Sequence, residues 1–260
     1  MESTPGEYYF ISDGNPAVCG LYMIGDTDSL VEIEFEEFNI GCESGGLLAV
    51  VDGWELQGEF FPNIDDTGES FEERYSTYCG QNKPARIYMA DQNVALLQFF
   101  VPQEGQGFRV KVRFLRNPQP CNTISMYKEA VATIKNYGQK RNCTMSIIYP
   151  ENVLLLSVDV GSSIKGRGSE IESGLSVRCE NSAGSDHVEF LYGGGLDTEL
   201  MNRRMFFCGV RSKSARRRVL LGCQNSAVRL VSSGMFYNSI TFSFVQPSPD
   251  QLARFGNDKC

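Results

Sequence analysis

The sequence predicts an all-β protein built as two tandem, disulfide-linked β-sandwiches of jelly-roll type. Three observations predict it: alternating strand patterns, an internal repeat, and scattered cysteines with no metal-binding spacing. Val31, Ile33 and Phe35 alternate with Glu32, Glu34 and Glu36. Phe108, Val110, Val112 and Phe114 alternate with Arg109, Lys111 and Arg113, and Ile240, Phe242 and Phe244 with Ser239, Thr241 and Ser243. Each is a period of two, with one face buried and one wet. The denser apolar runs 94–101 and 152–160 read as central strands. Turn chemistry separates the runs, as at Asp13-Gly14-Asn15-Pro16, Ser44-Gly45-Gly46 and Gly105-Gln106-Gly107. The best helical segment is short, Met126 to Ile134.

The repeat is visible in the residues. Gln92-Asn93-Val94-Ala95 recurs as Gln224-Asn225-Ser226-Ala227, and in each case an alternating strand starts 15 residues after the Asn. The run from Leu48 to Gly53 after Cys42 matches that from Glu189 to Gly193 after Cys179. Two modules follow, residues 1–116 and 121–260. The stiff stretch 117–120, with Pro118 and Pro120, joins them.

Nine cysteines occupy positions 19, 42, 79, 121, 143, 179, 208, 223 and 260, with no Cys-x-x-Cys pair. Zinc ribbons and thioredoxin-type sites are therefore disfavoured, and disulfides in an oxidising compartment are expected. Matching the modules places Cys19 opposite Cys143. It pairs Cys121 with Cys143, Cys179 with Cys208, and Cys42 with Cys79. Cys223 and Cys260 then pin the C-terminal tail. Each such loop is worth roughly 3–4 kcal/mol in the chain-entropy picture. Cys19 is left over. Met1-Glu-Ser-Thr-Pro also lacks the basic start and apolar stretch of a signal peptide. Both features are expected if the sequence starts downstream of a signal and of Cys19's partner.

Composition narrows the function. Hydrophobic residues are 42% and charged residues 22%, which supports a packed core. A net charge of −8 argues against nucleic acid as the main partner, because phosphate binders need a basic face. No run of 18 apolar residues occurs. His187 is the only histidine, and no nucleophile elbow accompanies it, so the chain is read as a non-enzyme with a rim histidine.

A cysteine, an alternating strand, a second cysteine, an apolar strand ending Asp-Gly, and a third cysteine together resemble the CUB domain. Within that class the ordered set is similar to the corticotropin-releasing factor-binding proteins. The set comprises Val51-Asp52-Gly53-Trp54, Gly58-Glu59, Phe61-Pro62, Arg141-Asn142-Cys143-Thr144, Ser146 to Pro150, Gly195-Leu196-Asp197, and Val228 to Gly234. The resemblance implies a secreted glycoprotein with CUB-like domains. It would sequester peptides of the corticotropin-releasing factor and urocortin type, or diuretic-hormone-like peptides, and so limit receptor activation. The family's cysteine pairing agrees with the one drawn from the repeat. The family also carries a segment ahead of Cys19's position that holds its first cysteine and ligand-binding positions. The rival reading is a generic CUB interaction module docking a protease or matrix partner.

Many CUB domains hold calcium with clustered carboxylates. Here Gly46 and Pro102-Gln103 stand where the first module would need acids. The second module keeps Asp186 but has Ser233-Gly234 at its later position, so no metal and no cofactor are expected. Asn142-Cys143-Thr144 is a glycosylation acceptor. Arg211, Lys213, Arg216, Arg217 and Arg218 form a basic cluster suited to weak glycosaminoglycan contact. The acidic face Glu32, Glu34, Glu36 is a wet face that would also attract a cationic ligand. Trp54, Phe60, Phe61, Tyr8 and Tyr9 are candidate anchors for an amphipathic helical peptide. The alternative for Trp54 and Phe61 is a plug closing the end of the sandwich core.

Overall fold

The computed structural model describes residues 1–161, 174–176, 179, 186–211, 214–215 and 217–255. They form two compact units, the first of residues 1–64 and 69–118, the second of residues 65–68 and 119–260.

In the first unit the strands are β1 (Gly6–Ile11), β2 (Val18–Ile24), β3 (Ser29–Asn39), β4 (Leu47–Asp52), β5 (Trp54–Leu56), β6 (Glu59–Phe61), β7 (Tyr75–Tyr78), β8 (Tyr88–Met89), β9 (Val94–Phe100) and β10 (Gly107–Arg116). They make two four-stranded sheets, in the orders β1-β10-β3-β8 and β2-β9-β4-β7, and a small β5-β6 hairpin. Val31, Ile33, Phe35, Val110 and Val112 from one sheet meet Met23, Leu48, Leu97 and Phe99 from the other in a single core. Sandwich packing takes both apolar faces out of water at once. On the wet side of the first sheet, Arg113 bridges Glu32 and Glu34, and Arg109 pairs with Glu37. The acidic stripe read from the sequence is therefore largely compensated by the neighbouring strand.

The second unit contains β11 (Thr123–Ser125), β12 (Glu129–Lys135), β13 (Cys143–Ile147), β14 (Glu151–Val160), β15 (Gly174–Ser176), β16 (His187–Gly193), β17 (Asn202–Arg211), β18 (Val219–Leu221), β19 (Asn225–Val231) and β20 (Ser239–Val245). Among the described residues there are also two short α-helices, α1 (Ile64–Thr67) and α2 (Pro249–Phe255), and a 3-10 turn at Phe71–Glu73. The main strand order is β11-β13-β19-β16-β17-β14-β20-β12. β17 belongs to both layers. Its first part pairs with β16 and residues 209–211 pair with β14. Gly209, at φ +109°, stands where the strand changes layer, a backbone state that side-chain-bearing residues rarely adopt. Phe190, Phe207, Val228, Phe242 and Phe244 fill the space between the layers.

The strand orders show the repeat directly. β2-β9-β4-β7 has the order of β13-β19-β16-β17, and β1-β10-β3 that of β12-β20-β14. Glu2 bridges Met23 in parallel, as β11 runs parallel to β13. The expected helix at 126–134 is absent: residues 129–134 are strand, and β12 pairs with β20 over seven residues. Ala130, Ala132 and Ile134 face inward in alternation with Glu129, Val131 and Thr133. A nine-residue stretch carries too little periodicity to separate the two patterns, and pairing with β20 decided it.

Disulfides join Cys42 to Cys79, Cys121 to Cys143 and Cys179 to Cys208, with Cα separations of 5.2, 4.5 and 5.8 Å. Cys223 is also disulfide-bonded, and Cys260 lies outside the described residues. Cys19 is a free, half-buried thiol.

Glu151, opposite Leu221 at the start of β14, is fully buried, and neither carboxylate oxygen has a hydrogen-bond partner. Burial pushes its carboxyl up to about 8. The folded state therefore holds this proton more tightly than the unfolded chain. Stability from this group is full at low pH and is lost as pH rises through 8. Glu151→Gln is expected to be neutral near pH 4 and to stabilise the protein above pH 8, by up to about 4 kcal/mol. Urea unfolding of both proteins across that range measures it.

Candidate binding surface

The five aromatic residues singled out in the sequence do not form one site. Trp54 and Phe61 are 6% and 1% exposed. They pair across the β5-β6 hairpin, which lies on the outer face of the β2-β9-β4-β7 sheet. Trp54 Nε1 donates to the carbonyls of Met23 and Ala95, and its ring stands edge-on to Tyr22 at 5.5 Å. Their place is the plug, and they are corrected as surface anchors. The indole needs an acceptor once buried, and two strand carbonyls supply it. Tyr8 is half-buried at the edge of the core, its hydroxyl donating to Thr4 O. Tyr9 is exposed, with Ile11, on the outer face of the other sheet. Phe60 is half-buried and begins a stack, 4.0 Å from Phe71, which lies 4.9 Å from Tyr75.

That stack borders an open face. Alternation along β2, β9, β4 and β7 turns Gly20, Gln98, Ala49 and Thr77 outward in one cross-strand row. Gly20, Gln98 and Thr77 are exposed and Ala49 is half-buried. On one side the row Tyr22, Leu96, Val51, Tyr75 rises beneath the hairpin. Tyr22 is fixed there by its hydroxyl, which donates to Glu55 O at 2.8 Å. A Cβ on Gly20 would meet the Tyr22 ring at 2.9 Å, so the glycine lets that ring lie close along the strand. On the other side runs the row Val18, Phe100, Leu47, in which Val18 is 69% and Leu47 44% exposed. The result is a shallow trough with a small, uncharged floor and two apolar borders. No contiguous motif announces it, because its floor comes from four strands.

The equivalent face of the second unit is built differently. Its row is Thr144, Arg229, Glu189 and Phe206, from β13, β19, β16 and β17. The α1 turn covers it. Asp66 accepts from the Thr144 hydroxyl at 2.6 Å and from Arg229 Nε and Nη2 at 2.8 and 2.7 Å. Arg229 also reaches Glu189 at 3.4 Å, and Glu189 takes Arg203 at 3.1 Å on its other oxygen. His187 lies 3.8 Å from Glu189 and against the Phe206 ring. His187 above all, then Arg203 and Arg229, hold Glu189 down at about 2 despite its burial.

Under the β4 end of the first unit lies a cavity of ≈ 200 Å³ lined by Asp52, Glu69, Glu73, Arg74, Arg86 and Tyr88, among others. Asp52 accepts from the Asp91 amide, and burial first, then the Asp91 charge, push its carboxyl up to about 7. Arg74 is buried with Nη1 donating to Pro62 O and Nε unpaired.

Both halves match family descriptions in order. Residues 1–116 match the corticotropin-releasing factor binding protein N-terminal domain, and residues 123–253 its C-terminal domain. The corticotropin-releasing factor-binding protein of Xenopus laevis is 35% identical over 99% of this chain and 78% of its own length. That of Homo sapiens is 33% identical over 97% and 76%. The chain belongs to the corticotropin-releasing factor-binding protein family. This is a hormone-binding family and not an enzyme family. Among solved structures, the CUB1-EGF-CUB2 domain of human MASP-1/3 aligns with 93% of this chain and 99% of its own, at 11% identity and a TM-score of 0.30.

The remaining family expectations fall as follows. Asp186 is fully buried and already accepts from the Ser233 amide at 2.8 Å and from Asn238 Nδ2 at 2.5 Å. No group of three or more His, Cys, Asp or Glu able to hold a metal occurs among the described residues. Asn142 is half-buried, its Nδ2 donating to Asp65 O at 2.9 Å. Of the basic cluster, Arg211, Arg217 and Arg218 are described, and Lys213 and Arg216 lie outside the described residues. Arg218 donates to Asn152 O at 3.1 Å and Arg217 is exposed. No helix among the described residues is long and apolar enough to cross a membrane.

Proposed function

We propose that this chain is a secreted, non-catalytic binding protein that captures peptides of the corticotropin-releasing factor and urocortin type and withholds them from their receptors. The observation that carries this reading is the match of both family domains, in order, along nearly the whole chain. The disulfides support an extracellular setting. Capture by burial needs no chemistry. A peptide burying on the order of 1,000 Å² binds tightly when a few apolar anchors are well placed. Isothermal titration tests it. Heat with a synthetic corticotropin-releasing factor peptide and none with calcium is expected. Heat with calcium alone would favour the generic docking module.

Two modifications of this picture belong to the proposal. Asn142 carries a glycan, added before Asp65 closes over the acceptor amide. Glycosidase treatment of protein from secreting cells is expected to remove one glycan mass, and Thr144→Ala to abolish the shift. Arg211, Lys213, Arg216, Arg217 and Arg218 give weak, salt-sensitive contact with sulfated glycans, expected to disappear from a heparin column by about 0.3 M salt.

A further inference from the structure

We infer that the open trough of the first unit, floored by Gly20, Gln98, Ala49 and Thr77, is where the peptide binds, and that it takes the peptide as a basic amphipathic helix lying across the strands. The inference rests on the peptide-binding reading above and adds the site, the conformation and the charge of the ligand.

Size comes first. The two apolar borders stand four residues apart along the strands, about 13 Å. An α-helix with its side chains is about 10–12 Å wide. Four strands at their usual spacing give a floor about 14 Å long, matched by roughly ten helical residues. A helix here sets its apolar stripe, at i, i+3, i+4 and i+7, between the Phe60-Phe71-Tyr75 stack and the Val18-Phe100-Leu47 row. Gly20 and Ala49 keep the floor low, and Gln98 offers one donor and one acceptor at its centre.

The internal repeat supplies the second argument. In the second unit the corresponding row already lies under a helical turn, α1, whose Asp66 meets Thr144 and Arg229. The geometry of this sheet face therefore accepts helical chain. In the first unit Gln98 replaces the arginine and Gly20 the threonine. A helix bearing an aspartate finds no cation there, whereas one presenting apolar residues finds a fitting floor.

Charge gives the third. On the segments that carry the Phe60-Phe71-Tyr75 border, Glu55, Glu59 and Glu72 are acidic, whereas Glu69 and Glu73 line the cavity beside Asp52. Arg74, the one basic residue on these segments, is buried. An apolar strip beside an acidic border suits a helix whose flanks carry Lys or Arg, and the field raises its association rate.

The test uses the whole chain and a synthetic corticotropin-releasing factor peptide. The double variant Gln98→Arg/Thr77→Arg puts bulk and positive charge on an exposed floor. It is expected to keep the wild-type melting temperature and lose at least 100-fold in affinity. Lys111→Glu, on the other sheet, is expected to bind within threefold of wild type. A photoreactive benzoylphenylalanine at position 98 is expected to crosslink to the peptide, and one at position 111 is not. If wild type binds but the double variant binds equally and position 98 fails to crosslink, the trough is wrong while the peptide-binding reading stands. If wild type does not bind, that reading falls and takes the trough with it.

Discussion

Arg229→Ala is expected to destabilise the second unit by about 3–5 kcal/mol. The guanidinium is 15% exposed and sits between Asp66, 1% exposed, and Glu189, 12% exposed. Removing it leaves Asp66 charged and buried, with only the Thr144 hydroxyl among its side-chain partners here. The large effect is the cost of an orphaned ion and not the net worth of the pair. The paired replacement Asp66→Asn/Arg229→Met is accordingly expected to cost less than the sum of its parts, which a double-mutant cycle in urea measures. The same network sets a pH dependence. Glu189 is held at about 2, below its ordinary value, so its stabilising contribution is full above pH 4.5 and is lost as pH falls through 2. Arg229→Ala is expected to flatten that acid limb only in part, because His187 contributes more to holding Glu189 down.

Trp54→Ala is expected to cost the first unit about 3–5 kcal/mol, the range for emptying a buried aromatic site. The indole fills the space between the hairpin and the sheet, and its N–H is bonded to two strand carbonyls. Losing it frees the hairpin that carries Phe60 and the Glu55 carbonyl held by Tyr22. Peptide affinity is therefore expected to fall with stability, although Trp54 does not line the trough. Circular dichroism follows unfolding in the variant. In the wild type, Trp54 fluorescence reports the first unit alone, since the chain has no other tryptophan.

What the sequence carried well was local. Alternation in β3, β10 and β20 placed strands and their buried faces correctly, because a period of two is written in the residues themselves. The misreadings fell where local pattern ran short. Residues 126–134 were too few to reveal their period. For Trp54 and Phe61 the sequence left anchor and core plug both open, because nothing local shows that a three-residue hairpin will fold back onto a sheet. The charges of β3 gave no sign that β10 would answer them.

By itself the sequence determined the all-β class, the duplicated architecture and the family, since each rests on order and spacing along one chain. Only the tertiary structure decided which of the two matching sheet faces stays open. That choice turns on Asp66, which is far from Thr144 and Arg229 in sequence and within hydrogen-bonding distance of both once folded. Pairing across the fold, not composition, covers one face with a buried ion pair and leaves the other an open, uncharged floor.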